Sequence, residues 1–370
     1  MTTSATLPDR LRRQLLRGLA LAPVGIACAA CGGGAGGATK PPAVRTRTWR
    51  MGFAPTPPRL DVATLLHGID LWSTRAELAI IHEELPWTDL LGGMTPDAII
   101  DRDKASLVSY LRGKGLGLVF MADLTDGLSR GQEAPQLRAA GASITDPAVR
   151  QLYRDWVLAF ARRFQPEYIG LGAETNLIRA AAPATLYDAV VVASNAAAAD
   201  LKAAGSTARQ FISVQVETAW GLLGGTGAWV GIDRDYVDFP TIEALGLSSY
   251  PYFSFQGPES IPADYYSRLL TGHVIPAFVA EGGWTSASVG TVVSSADAQA
   301  RYISRHADLL DSISAVALLQ LLYADVDLAS LPQPVPANLP LFADLGLTDS
   351  TFAAKPALAA WDALHARLLR

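Results

Sequence analysis

The sequence predicts an α/β protein built as a single (β/α)8 barrel, on three observations. Short apolar runs alternate with amphipathic stretches eight times between Trp49 and Arg370. The runs are continuously apolar rather than alternating, as strands buried on both faces of a parallel sheet must be. No break in composition interrupts residues 45 to 370, and a barrel of this kind typically takes roughly 250 residues or more. A doubly wound open sheet is the alternative, but it usually has fewer strands and a glycine fingerprint after the first.

Each unit can be read in order. Arg50-Met-Gly-Phe-Ala54 is the first strand and Leu60 to Trp72 its helix. Glu77 to His82 is the second strand, followed by a long loop from Glu83 to Asp103 and a helix from Lys104 to Arg112. Leu116 to Ala122 is the third, with a helix from Pro147 to Phe164 that opens on Asp146-Pro147 as cap and first residue. Tyr168-Ile-Gly-Leu-Gly-Ala-Glu174 is the fourth, paired with the alanine-rich helix Pro183 to Ala204. Phe211 to Glu217 is the fifth, with a helix around Asp235 to Ala244; Ala244 to Tyr250 is the sixth, with a helix from Pro262 to Leu270. Ile275-Pro-Ala-Phe-Val-Ala-Glu281 is the seventh, with a helix from Ser295 to Ser312. Ala315 to Leu322 is the eighth, and Pro356 to Leu369 closes the chain as a helix.

Two of these runs end on a glutamate and then break into a turn, at Glu174 and Glu281. The C-terminal tips of barrel strands are where such folds carry reactive groups. Strands four and seven face each other across the mouth, and two converging carboxylates are the minimum for cleaving a glycosidic bond. Aromatic rings after strand ends can serve as platforms for the apolar face of a sugar. Trp87, Trp220, Tyr250, Tyr252 and Trp284 hold such positions, with loop packing an equal alternative for Trp87 and Trp220. Trp156 and Trp361 fall within helices and are assigned to the core. His82, at the tip of the second strand, is either a pocket-lining group or a satisfied structural histidine.

Composition narrows the partners. The 370 residues are half hydrophobic and 18% charged, with a formal net charge of −5. The first 27 residues hold four arginines and one aspartate, so the remainder carries −8. An acidic body with no basic stripe excludes nucleic acid as the expected partner and any anionic membrane surface for the folded domain. His82-Glu83-Glu84 is not H-E-x-x-H, and the other histidines are scattered, so no metal and no cofactor is expected. No G-x-S-x-G or P-loop occurs, which removes serine-esterase and nucleotide chemistry.

The N-terminus reads as lying outside the fold. Arg12-Arg13-Gln-Leu-Leu-Arg17 resembles a twin-arginine export motif, and the apolar stretch from Gly18 to Ala27 is too short to span a membrane. Val24-Gly-Ile-Ala-Cys28-Ala-Ala-Cys31-Gly resembles a bacterial lipoprotein cleavage box, with Cys28 or Cys31 as the lipidated residue and a plain secretory signal as the alternative. Both cysteines of the chain lie there, so the barrel has no disulfide framework. Residues 1–30 are assigned to the signal, 31–48 to a flexible Gly/Pro-rich tether and 49–370 to the barrel. The G-x-G-x-x-G at Gly32, Gly34 and Gly37 has no strand before it and is linker.

On these residues the chain resembles the clan A retaining glycoside hydrolases. Glu281-Gly-Gly-Trp284 is similar to the nucleophile segment of family 53 endo-β-1,4-galactanases and family 17 β-1,3-glucanases, and Tyr250-Pro-Tyr252 to the clan's tyrosine segment. Phe342-Ala-Asp-Leu-Gly-Leu-Thr348, Lys355-Pro-Ala357 and Trp361 resemble the closing stretch. The resemblance implies Glu174 as acid/base and Glu281 as nucleophile. It also implies an Asn before Glu174 that bonds the sugar 2-hydroxyl, where this chain has Ala173. Asn176, Gln215 and Glu217 are the candidates to take over that role. The expected protein is an exported, lipid-anchored β-glycosidase acting on a carbohydrate substrate. The alternative is a surface lipoprotein whose barrel binds carbohydrate without cleaving it; a purely structural envelope lipoprotein ranks last.

Overall fold

The computed structural model describes residues 45–225 and 227–370. The signal, the lipidation candidates Cys28 and Cys31, and most of the expected tether lie outside the described residues. The eight expected strands are all present: β1 (Arg50–Phe53), β2 (Leu78–Glu84), β3 (Gly117–Asp123), β4 (Tyr168–Gly170), β5 (Arg209–Gln215), β6 (Ala244–Ser249), β7 (Ala277–Gly282) and β8 (Ala317–Gln320). They pair in sequence order and in parallel, and β8 closes on β1 from Arg50↔Ala317 to Phe53↔Gln320. The fold is a (β/α)8 barrel. Its interior is filled by buried side chains including Ile80, Val119, Met121, Phe211, Phe278 and Leu319. A larger apolar layer packs the helices on the outside.

The helices that cover the barrel include α1 (Val62–Trp72), α2 (Ala105–Gly113), α3 (Pro147–Phe164), α4 (Ala184–Ala203), α5 (Asp233–Asp238), α6 (Ala296–Ser312) and α7 (Pro356–His365). Their starts follow local chemistry: Asp61, Asp146 and Ser295 each accept a hydrogen bond from a backbone N–H of the first turn. Four expectations need correction. The stretch Glu83 to Asp103, expected as a loop, carries short helices at Trp87–Leu91 and Pro96–Asp103. The helix expected from Pro262 to Leu270 is reduced to a 3₁₀ turn at Ser267–Leu270. Tyr265 and Tyr266 there are fully buried and bonded inward to Glu217 and Ser249, which holds the segment as an irregular cover. The last helix stops at His365, because Leu368–Leu369 leave it to pair in parallel with Thr46–Arg47. Residues 45–48 therefore belong to the folded body rather than to the tether, with Arg47 buried and bonded to the Trp49 carbonyl and Glu77.

Two local features position the site. In β4 the regular ladder ends at Gly170, and the chain turns so that Glu174 sits at φ 49°, ψ 47° immediately before the short helix Thr175–Ala181. A non-glycine residue in that region is strained, and the Glu174 N–H is held there by Ser213 Oγ at 2.9 Å. Between β6 and β7 the register jumps from Leu247↔Val279 to Ser248↔Glu281. The extra residue of this bulge brings Glu281 inward although its neighbour Ala280 already lies in the barrel interior. Glycine follows Glu281 because a Cβ on Gly282 would stand 2.4 Å from the Ser249 carbonyl oxygen.

Candidate active site

Glu174 and Glu281 meet at the mouth of the barrel, both buried. They share one partner. Ser248 Oγ lies 2.6 Å from Glu174 Oε1 and 3.0 Å from Glu281 Oε1. The two carboxylate oxygens are therefore separated by no more than the sum of those distances, 5.6 Å. Glu281 Oε1 also accepts from the Tyr250 hydroxyl at 3.1 Å, and its Oε2 lies 2.8 Å from His82 Nδ1. Glu174 Oε2 accepts from Arg130 Nε at 2.7 Å. Asp123 joins the two sides, with Oδ2 at 2.5 Å from Arg130 Nη1 and 3.1 Å from His82 Nε2.

The charges decide which glutamate keeps a proton. Burial alone would lower the His82 pKa, but Glu281 and Asp123 on its two ring nitrogens raise it to about 10. Burial would raise Asp123, yet Arg130 and His82 hold it down at about 2. Burial likewise favours neutral Glu281, and the His82 imidazolium overcomes it, leaving Glu281 below the usual carboxylate range. For Glu174 burial wins: its pKa is raised, opposed by Arg130 and reinforced by the negative Glu281. Two cations, His82 and Arg130, thus face three carboxyls, and the balance favours the proton on Glu174 over Glu281. Environments that push two carboxyls in opposite directions separate an acid from a base or nucleophile.

Ser248 has one proton and two acceptors. With Glu174 protonated, the hydrogen bonds run from the Glu174 hydroxyl to Ser248 and from Ser248 to Glu281. When Glu174 ionises, Ser248 can turn its proton to Glu174. In either state the hydroxyl favours a charged carboxylate, and it lowers the pKa of both glutamates. Ser248→Ala is expected to move both the acid and the basic limb of the kcat/KM profile to higher pH, and Ser248→Thr to restore them. A loss of rate with unmoved limbs would show that the serine only fills space.

Of the other residues expected at the site, the structure brings His82 and Tyr250 to Glu281. The three residues expected to stand in for an asparagine at position 173 are occupied elsewhere. The Asn176 amide spends both ends on the Gln215 backbone, at 2.8 Å each. Gln215 donates to Glu217 and accepts from the Thr218 N–H. Glu217 accepts from Tyr265 Oη at 2.6 Å and the Tyr250 N–H at 3.0 Å; burial raises its pKa to about 7. The expected aromatic platforms mostly face inward. Trp87 and Trp284 are fully buried, Trp284 against Tyr252 and Tyr302 with its indole N–H on Ser294. Tyr252 donates to the Leu341 carbonyl. Trp220 is half-buried, stacked on Tyr265 beneath the Arg268 guanidinium.

Sequence reasoning missed Asp123, Arg130 and Ser248. Asp123 had a signal, since it follows the apolar run Leu116–Ala122 as Glu174 and Glu281 follow theirs. Arg130 stands in a loop and Ser248 within a strand, where neither residue type is distinctive. Among the described residues, no group of three or more His, Cys, Asp or Glu side chains is disposed to hold a metal ion.

No family model matches the chain, and no curated protein matches it. Solved structures do. A GH5_18 protein from Bifidobacterium longum subsp. longum superposes with a TM-score of 0.63 at 16% identity, over 86% of this chain and 79% of that one. The GH53 catalytic domain from Ignisphaera aggregans gives 0.59 at 14% identity, over 87% and 98%. The exo-β-1,4-mannosidase Op5Man5 from Opitutaceae bacterium strain TAV5 gives 0.61 at 16% identity over 89% of this chain, which spans 62% of that protein's length. At these identities the likeness establishes the barrel fold.

Proposed function

We propose that the chain is a glycoside hydrolase that cleaves a β-linked oligo- or polysaccharide with retention of anomeric configuration. The observation that carries this reading is the pair Glu174–Glu281, bridged by Ser248, with pKa values pushed in opposite directions. Retaining enzymes hold their carboxyl groups about 5–5.5 Å apart, whereas inverting ones leave about 6.5–9.5 Å for a water. A ceiling of 5.6 Å between the facing oxygens supports the former.

In the first step an Oε of ionised Glu281 bonds to the anomeric carbon as the glycosidic C–O bond breaks, and the Glu174 proton goes to the leaving oxygen. In the second, ionised Glu174 takes a proton from water, whose oxygen displaces Glu281 and regenerates both groups. Arg130 supports the ionised form of Glu174 that this second step needs. Tyr250 and His82 hold Glu281 in place by donating to its two oxygens. Structural neighbours that include an exo-β-1,4-mannosidase and a GH5_18 variant bound to Manb1-4GlcNAc favour β-glycosides as the first class to test.

The competing reading, a barrel that binds carbohydrate without cleaving it, draws on Ala173 and on the internal engagement of Asn176, Gln215 and Glu217. One screen separates the two. The purified barrel is expected to hydrolyse at least one member of a panel of aryl β-glycosides and β-linked polysaccharides, the first-formed sugar appearing as the β-anomer by NMR. An α-anomer first would overturn retention, and sugar binding without turnover would replace the enzyme by the binding barrel. Export and lipid anchoring at Cys28 or Cys31 remain part of the proposal on the sequence alone. Changing both cysteines to alanine is expected to move the protein from the membrane to the soluble fraction.

A further inference from the structure

At the tip of β2, two residues past His82, the mouth keeps a cavity of about 360 Å³. Three parts of the chain wall it: the tip of β2 at Glu84, the segment after β3 from Asp126 to Arg138, and the segment after β8 at Pro336–Asn338. A staple joins two of those walls, the Asn338 side-chain amide donating to the Leu128 carbonyl at 2.9 Å. The cavity lies near the site already described: Glu84 is two residues past His82 on the same strand, with the buried Asp123 and Arg130 between the cavity and the glutamates. A Cβ on Gly127 would stand 3.8 Å from Glu84 Oε1 and 3.9 Å from Asp123 Oδ2. That Asp123 oxygen is the one that holds both His82 and Arg130.

The polar groups of the cavity are only partly used. Glu84 Oε1 accepts from the Gly127 N–H at 3.0 Å, while its Oε2 accepts no bond among the described residues. Ser129 Oγ accepts from Gln132 and has its own proton to donate. Asn338 keeps its side-chain carbonyl oxygen. Asp126 is satisfied, one oxygen by the Leu128 N–H and the other by Arg138 at 3.0 Å. One open carboxylate oxygen does not make a cation cage, which needs about six oxygens. A free carboxylate oxygen, a hydroxyl and an amide oxygen are instead what a polyhydroxylated ligand can pair with. The volume falls at the small end of the range for ligand pockets, about 300–1,000 Å³.

We infer that this cavity, walled by Glu84, Ser129 and Asn338, is a subsite for a neutral glycosyl unit of the substrate chain, next to the unit that reacts at Glu174 and Glu281. It rests on the hydrolase reading and extends it: the enzyme reads at least two sugar units, and the second carries hydroxyls but no carboxylate. A uronate there would face Glu84 directly, with Asp126 behind it and its Arg138 partner already committed.

The test compares short and long substrates of the full chain. Aryl β-monoglycosides occupy only the reacting position, whereas β-1,4-linked manno-, gluco- and galacto-oligosaccharides of two to five units extend past it. Ser129→Trp and Asn338→Trp fill the cavity from opposite walls, and Glu84→Gln removes its open charge. Both tryptophan variants are expected to lower kcat/KM on the best oligosaccharide by about tenfold or more, chiefly through KM, with aryl monoglycoside turnover within about twofold of wild type. Glu84→Gln is expected to narrow the preference for neutral chains over otherwise matched chains that carry one uronate. Equal losses on both substrate types would make the effect structural and overturn the subsite, as would unchanged kinetics on every oligosaccharide. Should the wild type turn over no substrate, the hydrolase reading fails separately. Calorimetric titration of the same oligosaccharides into wild type and Ser129→Trp then decides: binding lost only in the variant supports the subsite, and equal binding, or none to either, overturns it.

Discussion

Replacing Glu281 by alanine is expected to reduce turnover of every substrate by about 10⁴-fold or more, the scale reached when a nucleophile is removed from a covalent mechanism. The reason is specific to this site. Glu281 is the carboxylate with ionisation enforced from outside, by His82 on one oxygen and by Ser248 and Tyr250 on the other. Glu174, facing it, is pushed toward its neutral form by burial and by that same negative charge. Truncating Glu281 leaves space beside the anomeric carbon and leaves the acid in place, so azide is expected to restore part of the rate on activated aryl glycosides and to give a product of inverted configuration. A second readout needs no substrate. His82 is raised to about 10 with Glu281 as the first of the groups that raise it, so in Glu281→Ala its imidazole should titrate at lower pH, as NMR of the ring would show. Retained turnover, or a His82 titration indifferent to Glu281, would remove the glutamate from the role assigned to it.

The fold was legible because barrel strands face apolar surroundings on both sides, so each appears as an uninterrupted apolar run. The tips of β4 and β7 were legible for the same reason. A carboxylate that closes such a run stands out, and Glu174 and Glu281 do meet. The same rule applied to Leu116–Ala122 points to Asp123, which lies at the centre of the charge network. What the pattern cannot carry is the direction of a side chain beyond a regular strand. The left-handed turn at Glu174 and the bulge opposite Ser248 both re-aim residues, and neither changes the apolar pattern that locates the strands. Trp284 illustrates the limit: it is three residues past Glu281, as a sugar platform could be, yet its ring is buried between Tyr252 and Tyr302. The missing sixth helix has a similar cause, since Tyr265 and Tyr266 are apolar enough to suggest a helix and polar enough to be drawn to Glu217 and Ser249.

Arg130→Met is expected to lower both stability and the rate of the second chemical step, and the two losses should depend on pH in opposite ways. Arg130 is buried and bonded to Asp123 and Glu174. Removing one partner of a buried ion pair leaves charge uncompensated and costs about 3–5 kcal/mol near neutral pH. The sign follows from Asp123, whose folded pKa of about 2 lies below that of an unfolded aspartate. A depressed carboxylate contributes stability that is full above its unfolded pKa and is lost as pH falls through its folded value. Without Arg130 the Asp123 pKa rises and that contribution shrinks, so the deficit against wild type should be largest near neutral pH and narrow as pH falls below about 4. Catalysis should move the other way. The Glu174 pKa, already raised, loses the group that most opposes the rise. The carboxyl then keeps its proton to higher pH, which suits departure of the leaving group but not activation of water. Activated aryl glycosides should therefore show a burst of aryl release followed by slow turnover, with kcat reduced by about 10²–10⁴ and KM reduced with it, and activity should recover as pH rises. Arg130→Lys keeps the charge without the fork that reaches two carboxylates, so it should restore stability better than it restores kcat. A variant with wild-type melting temperature and an unmoved pH profile would show that Arg130 does not set the protonation of Glu174.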